Sequence, residues 1–384
     1  MKKVKLISFC FHSLLLLVVF NSALKYIYAV NLWNLGQLFL ALCLILLGSF
    51  YSNKDVKGGN ALGLVFILMI TLFTLIPFFY PLAAFNNSDI FKFFTLTIFM
   101  FCGLYFAHYL NVLTCMKAMN IFTFAFILIF DFLKLMKMDP NANYLMYSMA
   151  ISFMCVANLG VSYLKKWEIK WLSIGVVLML YCITLHSRAA IIFPIVFLMF
   201  FVFCYCVNEN KLFQLFSCFL ISVTLLIVVL SFYEVTLEDF SNLGYGAYKL
   251  IGMLQGEYSD DRGSLLQGSL QAISTNPFGY GVGSYDKLLG FYPHNFFLEV
   301  MLSFGVFVCL IYIMVLFFSI YELYKAKDIK LWFFSLLYSY YLAIWMSSFD
   351  YLSSFQIHFA LGGFVSCFLY RHKASKQVNI DKGL

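Results

Sequence analysis

The strongest constraint in this sequence is a succession of apolar runs, each long enough to cross a bilayer and each followed by a polar break. After the first, which ends near Phe20, they recur near residues 32–51, 61–83, 91–110, 119–136, 144–163, 171–187, 189–207, 214–233, 295–320, 331–349 and 351–370. A hydrocarbon core about 30 Å thick takes about 20 apolar residues of helix to cross. In lipid every backbone amide and carbonyl must pair within the protein, which leaves helices or closed barrels. The runs are continuous in Leu, Phe, Ile and Val rather than alternating over about ten residues, and that decides for helices. With 63% of residues hydrophobic and 11% charged, against about half and about a quarter in soluble domains, the chain needs lipid. The expected fold class is all-α: a polytopic membrane protein of about twelve transmembrane helices with one larger loop on the outer side. The first run lacks an A-x-A site after it, so it reads as an uncleaved span rather than a signal peptide.

Charge sets the expected orientation. Lys2, Lys3, Lys5, Lys54, Lys57, Lys117, Lys165, Lys166, Lys170, Lys211, Lys325, Lys327, Lys330, Arg371, Lys373, Lys376 and Lys382 fall on one side of the bilayer, 17 of the 25 basic residues. By the positive-inside rule that side is cytoplasmic, with both termini there. Lys134 and Lys137 fall on the other side. The net charge of +7 is spread over loops between spans and forms no patch, which argues against nucleic acid. The expected organisation is an N-terminal bundle of about nine helices (1–233), an outer loop segment (234–293), about three C-terminal helices (294–370) and a cytoplasmic tail (371–384). The eleven cysteines lie almost entirely in apolar runs, and Cys204-x-Cys206 has no His or Asp nearby, so they read as packing residues and no metal is expected.

The polar segment from Glu234 to Phe304 is the one connection long enough to fold by itself, and it holds most of the candidate chemistry. Residues 263–275 read as a short amphipathic helix with Leu265, Leu266, Leu270 and Ile273 on one face. The turn-rich run Asn276-Pro277-Phe278-Gly279-Tyr280-Gly281-Val282-Gly283 follows, then Tyr292-Pro293-His294-Asn295 opens a new helix. His294, fixed by Pro293 and the helix start, has the pKa range to take a proton from a sugar hydroxyl; it would equally serve as a plain helix cap. His186 lies at the outer boundary, and His358, inside the last span, reads as hydrogen-bonded to a neighbouring helix.

Arg188, at the hairpin Ser187-Arg188-Ala189-Ala190, and Arg262, beside Asp260 and Asp261, each have two readings. One is snorkelling or a local ion pair. The other is bidentate binding of phosphate oxygens, for which two guanidiniums from different elements suit a diphosphate. Seven acids against three bases in 234–293 exclude a polybasic headgroup anchor there. Tyr280 and Tyr292 offer rings that stack on sugars or belong to an interfacial aromatic belt. Glu299, about a turn into the helix, is a second proton acceptor.

Taken in order, these residues resemble the O-antigen polymerase/O-antigen ligase family of bacterial membrane glycosyltransferases. The matching features are Ser187-Arg188-Ala189-Ala190, Arg262 with the amphipathic run into the 276–283 turn, and His294-Asn295, nine residues, then Gly305. Val308 stands where the ligase pattern has a further small or polar residue. The resemblance implies a GT-C-like, metal-independent enzyme without a cofactor. It would act on undecaprenyl-diphosphate-linked oligosaccharide, as donor and acceptor, at the periplasmic face of the inner membrane, which makes the larger outer loop a periplasmic loop. Arg188 and Arg262 would hold the diphosphate and His294 would serve the acceptor hydroxyl, with His186, Tyr280, Tyr292, Asn295 and Glu299 binding substrate. The modest outer segment and Val308 favour a polymerase over a ligase that transfers glycan to lipid A–core. A flippase of lipid-linked sugars, which would want charges around a mid-membrane cavity, ranks below both. Membrane lipid is an expected partner and a chain-length regulator protein a candidate one.

Overall fold

The structure, a computed structural model, describes residues 2–24, 74–85, 87–129, 144–185, 187–211, 262–291, 293–348 and 351–381, with isolated positions between 39 and 72. Among them every regular element is helical. In chain order these are α1 (Lys2–Leu24), α2 (Asn87–Phe106), α3 (Val112–Ile127), α4 (Tyr144–Leu164), α5 (Ile169–Ile183), α6 (Arg188–Asn208), α7 (Arg262–Thr275), α8 (Ser284–Leu289), α9 (Phe296–Phe304), α10 (Val306–Lys325), α11 (Ile329–Ser348) and α12 (Phe355–Asp381). Short 3-10 turns occupy Ile76–Phe79, Ala107–Tyr109 and Tyr351–Ser353. Among the described residues five helices are long and apolar enough to cross a membrane: Asp89–Tyr109, Tyr147–Leu164, Ala189–Asn208, Val306–Lys325 and Ile329–Met346. The all-α membrane fold expected from the apolar runs is therefore present. The runs near 32–51 and 214–233 lie outside the described residues apart from isolated positions, as does the whole of 234–261.

Two differences from the sequence reading matter. The run at 295–320 is two helices, α9 and α10, broken at Gly305. The last helix passes the 370/371 boundary and continues to Asp381, because no Gly or Pro interrupts it before Gly383.

The chain divides into two compact units. One comprises residues 1–19, 31–115 and 260–384, the other 20–30 and 116–259. In the second unit α4 is buried nearly all round, which explains why its apolar run is studded with Ser148, Ser152, Asn158 and Ser162. Small and polar side chains let helices approach and bond across in lipid. Asn158 and Asn120 of α3 exchange two amide hydrogen bonds, at 2.7 and 2.8 Å, and Tyr147 and Tyr181 join hydroxyls at 2.8 Å.

In the first unit α2 and α12 cross at contact distance. A Cβ on Gly362 would lie 2.0 Å from the Met100 carbonyl oxygen, and one on Gly103 2.2 Å from that of Phe359. This crossing fixes the two ends of the unit. At one end the Lys330 ammonium donates to the His108 carbonyl, Arg371 pairs with buried Glu322 at 2.7 Å, and Ser8 of α1 donates to the Tyr109 carbonyl at 3.0 Å. That is the basic end. α10 and α12 run toward it, and they start, with α2, at the opposite end, where the 276–305 segment lies.

Gly362→Leu must push on backbone that cannot yield. Overpacking costs about 1–3 kcal/mol, so the unfolding midpoint in detergent should fall well below that of the natural protein. Gly263→Ala, where nothing lies within 4 Å, should leave the midpoint in place.

Candidate active site

A helix that stops inside a membrane protein leaves its last carbonyls and the next helix's first amides without partners. At Gly305 those groups are met by the 276–284 loop. Tyr280 N–H donates to the Leu302 carbonyl at 2.7 Å, and Gly281 N–H to that of Ser303 at 3.2 Å. Val306 N–H, in the first turn of α10, donates to the Pro277 carbonyl at 2.9 Å. The contact is backbone on backbone. Gly305 has φ 89° and ψ 168°, a conformation nearly restricted to glycine, and a Cβ there would sit 2.7 Å from the Phe278 carbonyl. Gly279, also at positive φ, faces the Gly305 amide just as closely.

The loop holds its own shape through Asn276. Its side-chain amide donates to the Gly279 carbonyl at 2.7 Å, and its side-chain oxygen accepts from Phe278 N–H at 3.2 Å. On its other side Val282 N–H donates to the Pro77 carbonyl at 3.3 Å, and Val282 carbonyl accepts from Ala84 N–H at 2.8 Å. Asn276-Pro277-Phe278-Gly279-Tyr280-Gly281-Val282 is therefore a plug between the 77–84 turn and the broken helix.

At its other end α9 is capped by Asn295, whose side-chain oxygen accepts from Phe297 N–H at 3.0 Å and Leu298 N–H at 3.2 Å. The spacing His294-Asn295, nine residues, Gly305 is thus a physical length: one cap, a nine-residue helix, one stop. His294 precedes the cap with φ 51°, left-handed backbone that costs a non-glycine residue about 1–2 kcal/mol. Strain of that kind persists where surrounding structure imposes it, commonly at functional sites. The imidazole is half-buried, 5.2 Å from the Phe291 ring.

The remaining sequence-nominated residues fall as follows. Arg262 is the first residue of α7, which packs against α9, so it belongs to the same end of the same unit as His294. Tyr280 is half-buried and its hydroxyl donates to the Ala272 carbonyl of α7 at 2.9 Å. Glu299 is 3% exposed, and its carboxylate accepts from Tyr351 N–H at 2.7 Å. Arg188 opens α6 in the second unit, after a tight turn from α5. The side chains of Arg188 and Arg262, and all of His186 and Tyr292, lie outside the described residues. The α7 helix is present, but Leu266 and Leu270 are exposed, and the face turned to the protein runs through Leu265, Ser269 and Ala272. Among the described residues no three His, Cys, Asp or Glu side chains gather as metal ligands. The sequence reading missed Tyr312, Tyr351 and Ser354, which surround His358; hydroxyls inside apolar spans were the available signal.

These elements define a polytopic α-helical membrane protein whose candidate site is a short capped helix, plugged at its break, at the end of the first unit opposite Lys330 and Arg371. The O-antigen ligase family (Wzy_C) matches the chain over residues 173–313, a stretch that contains Arg188, Arg262, the plug loop and the whole of α9. The segment that builds the site is similar to the O-antigen ligase family, in line with the resemblance read from the sequence. Comparison with curated proteins and with solved structures finds no match.

Removing a cap costs about 1 kcal/mol. Asn295→Ala should therefore lower the unfolding midpoint slightly and Asn295→Asp should restore it. Gly305→Ala, which meets both strain and the Phe278 backbone, should lower it by more than Asn295→Ala. Thermal unfolding in detergent ranks the three.

Proposed function

We propose that this protein is a surface-polysaccharide polymerase of the O-antigen type, joining undecaprenyl-diphosphate-linked repeat units at the periplasmic face of the inner membrane. The observation that carries the reading is the placement of His294. It sits on a strained, capped helix start, in a segment matched to the O-antigen ligase family, at the end of its unit opposite Lys330 and Arg371. A basic end that faces the cytoplasm turns the His294 end outward. There the leaving group itself supplies the driving force and no nucleotide is needed.

In this reading an acceptor hydroxyl oxygen attacks the anomeric carbon of the donor sugar. The new C–O bond forms as the bond to the diphosphate oxygen breaks, and the lipid diphosphate departs with the electron pair. His294 takes the hydroxyl proton. Arg262, from α7 of the same unit, stabilises charge developing on the diphosphate, where preorganised cations act most strongly in a partly dry site. Ligation to lipid A–core is the second reading, favoured by the description of the matching family. Val308, at the final position of the ligase pattern, favours the polymerase.

His294→Ala and Arg262→Ala should leave the protein in the membrane and shorten the glycan from long chains to single repeats, seen as lipopolysaccharide ladders on gels. Normal ladders from both variants would end the catalytic assignment. Deleting the gene separates the two enzymes: one capped repeat unit marks a polymerase, whereas a bare core with polymer left on the lipid carrier marks a ligase.

A further inference from the structure

Behind α9 lies a buried polar knot that the sequence reading did not assemble. An ionisable group inside the membrane region is costly unless it is satisfied, yet Glu299 is 3% exposed. Its carboxylate accepts from the backbone N–H of Tyr351 at 2.7 Å, where the Tyr351–Ser353 turn begins and a helical partner for that amide is missing. The Tyr351 ring is held by α9 as well, with centroids 5.7 Å from Phe296 and 4.6 Å from Phe304. Positions 296 and 299 lie on the first turn and 304 on the last turn of the same nine-residue helix. Its inward face therefore grips one residue along its whole length.

Tyr351 passes the grip on. Its hydroxyl is 3.0 Å from that of Tyr312 on α10 and 3.1 Å from Nε2 of His358 on α12, and Tyr312 and His358 are 2.9 Å apart. Nδ1 of His358 lies 2.9 Å from the Ser354 carbonyl, which can only accept, so Nδ1 carries a proton. Nε2 of the neutral ring then accepts from a tyrosine hydroxyl. Tyr338 of α11 donates to the Tyr312 carbonyl at 2.9 Å. Glu299, Tyr312, Tyr351 and His358 are all at most 3% exposed, so none of them reaches a substrate from this arrangement.

We infer that Glu299 is a positioning residue. Through the Tyr351–Tyr312–His358 knot it fixes the pose of α9 and so aims His294, one turn before it, at the acceptor hydroxyl. The inference rests on the reading of His294 given above. A helix of nine residues is too short to be oriented by its length alone, so contacts along its inward face set its pose. A displacement of about 1 Å at a reacting group can cost about a hundredfold in rate. A carboxylate here acts as an acceptor of fixed direction; its negative charge is not required for that.

The test uses the full-length protein in lipid nanodiscs with the undecaprenyl-diphosphate-linked repeat unit isolated from a strain lacking this gene. Rates are expressed per folded molecule. Glu299→Gln keeps an oxygen acceptor for Tyr351 N–H and should stay within about threefold of the natural kcat. Glu299→Leu should lose about tenfold or more in kcat with KM little changed. Tyr351→Phe keeps the amide and cuts only the hydroxyl link; it should fall between them, and it still decides the matter if Glu299→Leu does not fold. A glutamine variant as inactive as the leucine variant would make Glu299 a chemical base and overturn the inference. So would full kcat in Glu299→Leu or, where that variant does not fold, in Tyr351→Phe. His294→Ala, run alongside, separates the two layers. Activity in His294→Ala defeats the parent reading, whereas its loss together with an active Glu299→Leu defeats positioning alone.

Discussion

The unmet backbone groups at Gly305 are the constraint on which the rest of this site depends. In water a broken helix is solvated without difficulty. In a membrane bundle each unpaired amide or carbonyl costs several kcal/mol. Leu302, Ser303 and Val306 are paired only because the plug loop brings Tyr280, Gly281 and Pro277 to them. The loop can come that close only because Gly279 and Gly305 have no side chains where the backbones meet. Its far side must then be held too, and the Pro77–Ala84 turn does so through Val282. One break therefore recruits two distant segments of the chain, and their joint result is a short helix set off from α10 at Gly305.

A short helix would be a poor platform if only its ends were fixed. The inward face of α9 answers this with Phe296, Glu299 and Phe304 around Tyr351. Buried polar groups of this kind add little net stability compared with apolar residues of the same shape. Their value lies in direction, since a hydrogen bond has a preferred angle and a hydrophobic contact does not. The start of the same helix follows His294 at positive φ. Strain at one end and a directional grip in the middle are complementary, because the grip supplies the context that keeps the strained residue in place.

The sequence made the spans legible because burial in lipid demands long apolar runs, and α2, α4, α6, α10 and α11 are where those runs stand. It made the order of the motifs legible for a similar reason: Asn295 and Gly305 obey local rules for starting and stopping a helix. What it did not reveal is partnership. Residues 295–320 are apolar apart from Asn295, Glu299, Ser303 and Ser319, so hydropathy alone joins α9 to α10, and only the plug loop shows why Gly305 is a stop. Glu299 looked like a proton acceptor because its type fits that chemistry. Its partner is the amide of Tyr351, 52 residues away, and no local pattern announces such a pair. Tyr280 was nominated for stacking, while its hydroxyl is committed to Ala272.

The nine-residue interval between Asn295 and Gly305 is set by both ends at once. At 1.5 Å per residue it holds the cap about 15 Å from the break, and each residue added or removed would turn the cap by about 100° relative to the plug. Such a turn would move Phe296 and Glu299 relative to Phe304 and the plug, so the grip on Tyr351 and the pairing at Gly305 would not both keep their present geometry. The interval therefore encodes an orientation as much as a distance. A pattern of that sort is satisfied by many apolar sequences in its middle, which is why it is visible as spacing even where the intervening residues say little. Its one ionisable member, Glu299, stands where the helix faces the Tyr351 turn, and that is where an acceptor of fixed direction has something to hold.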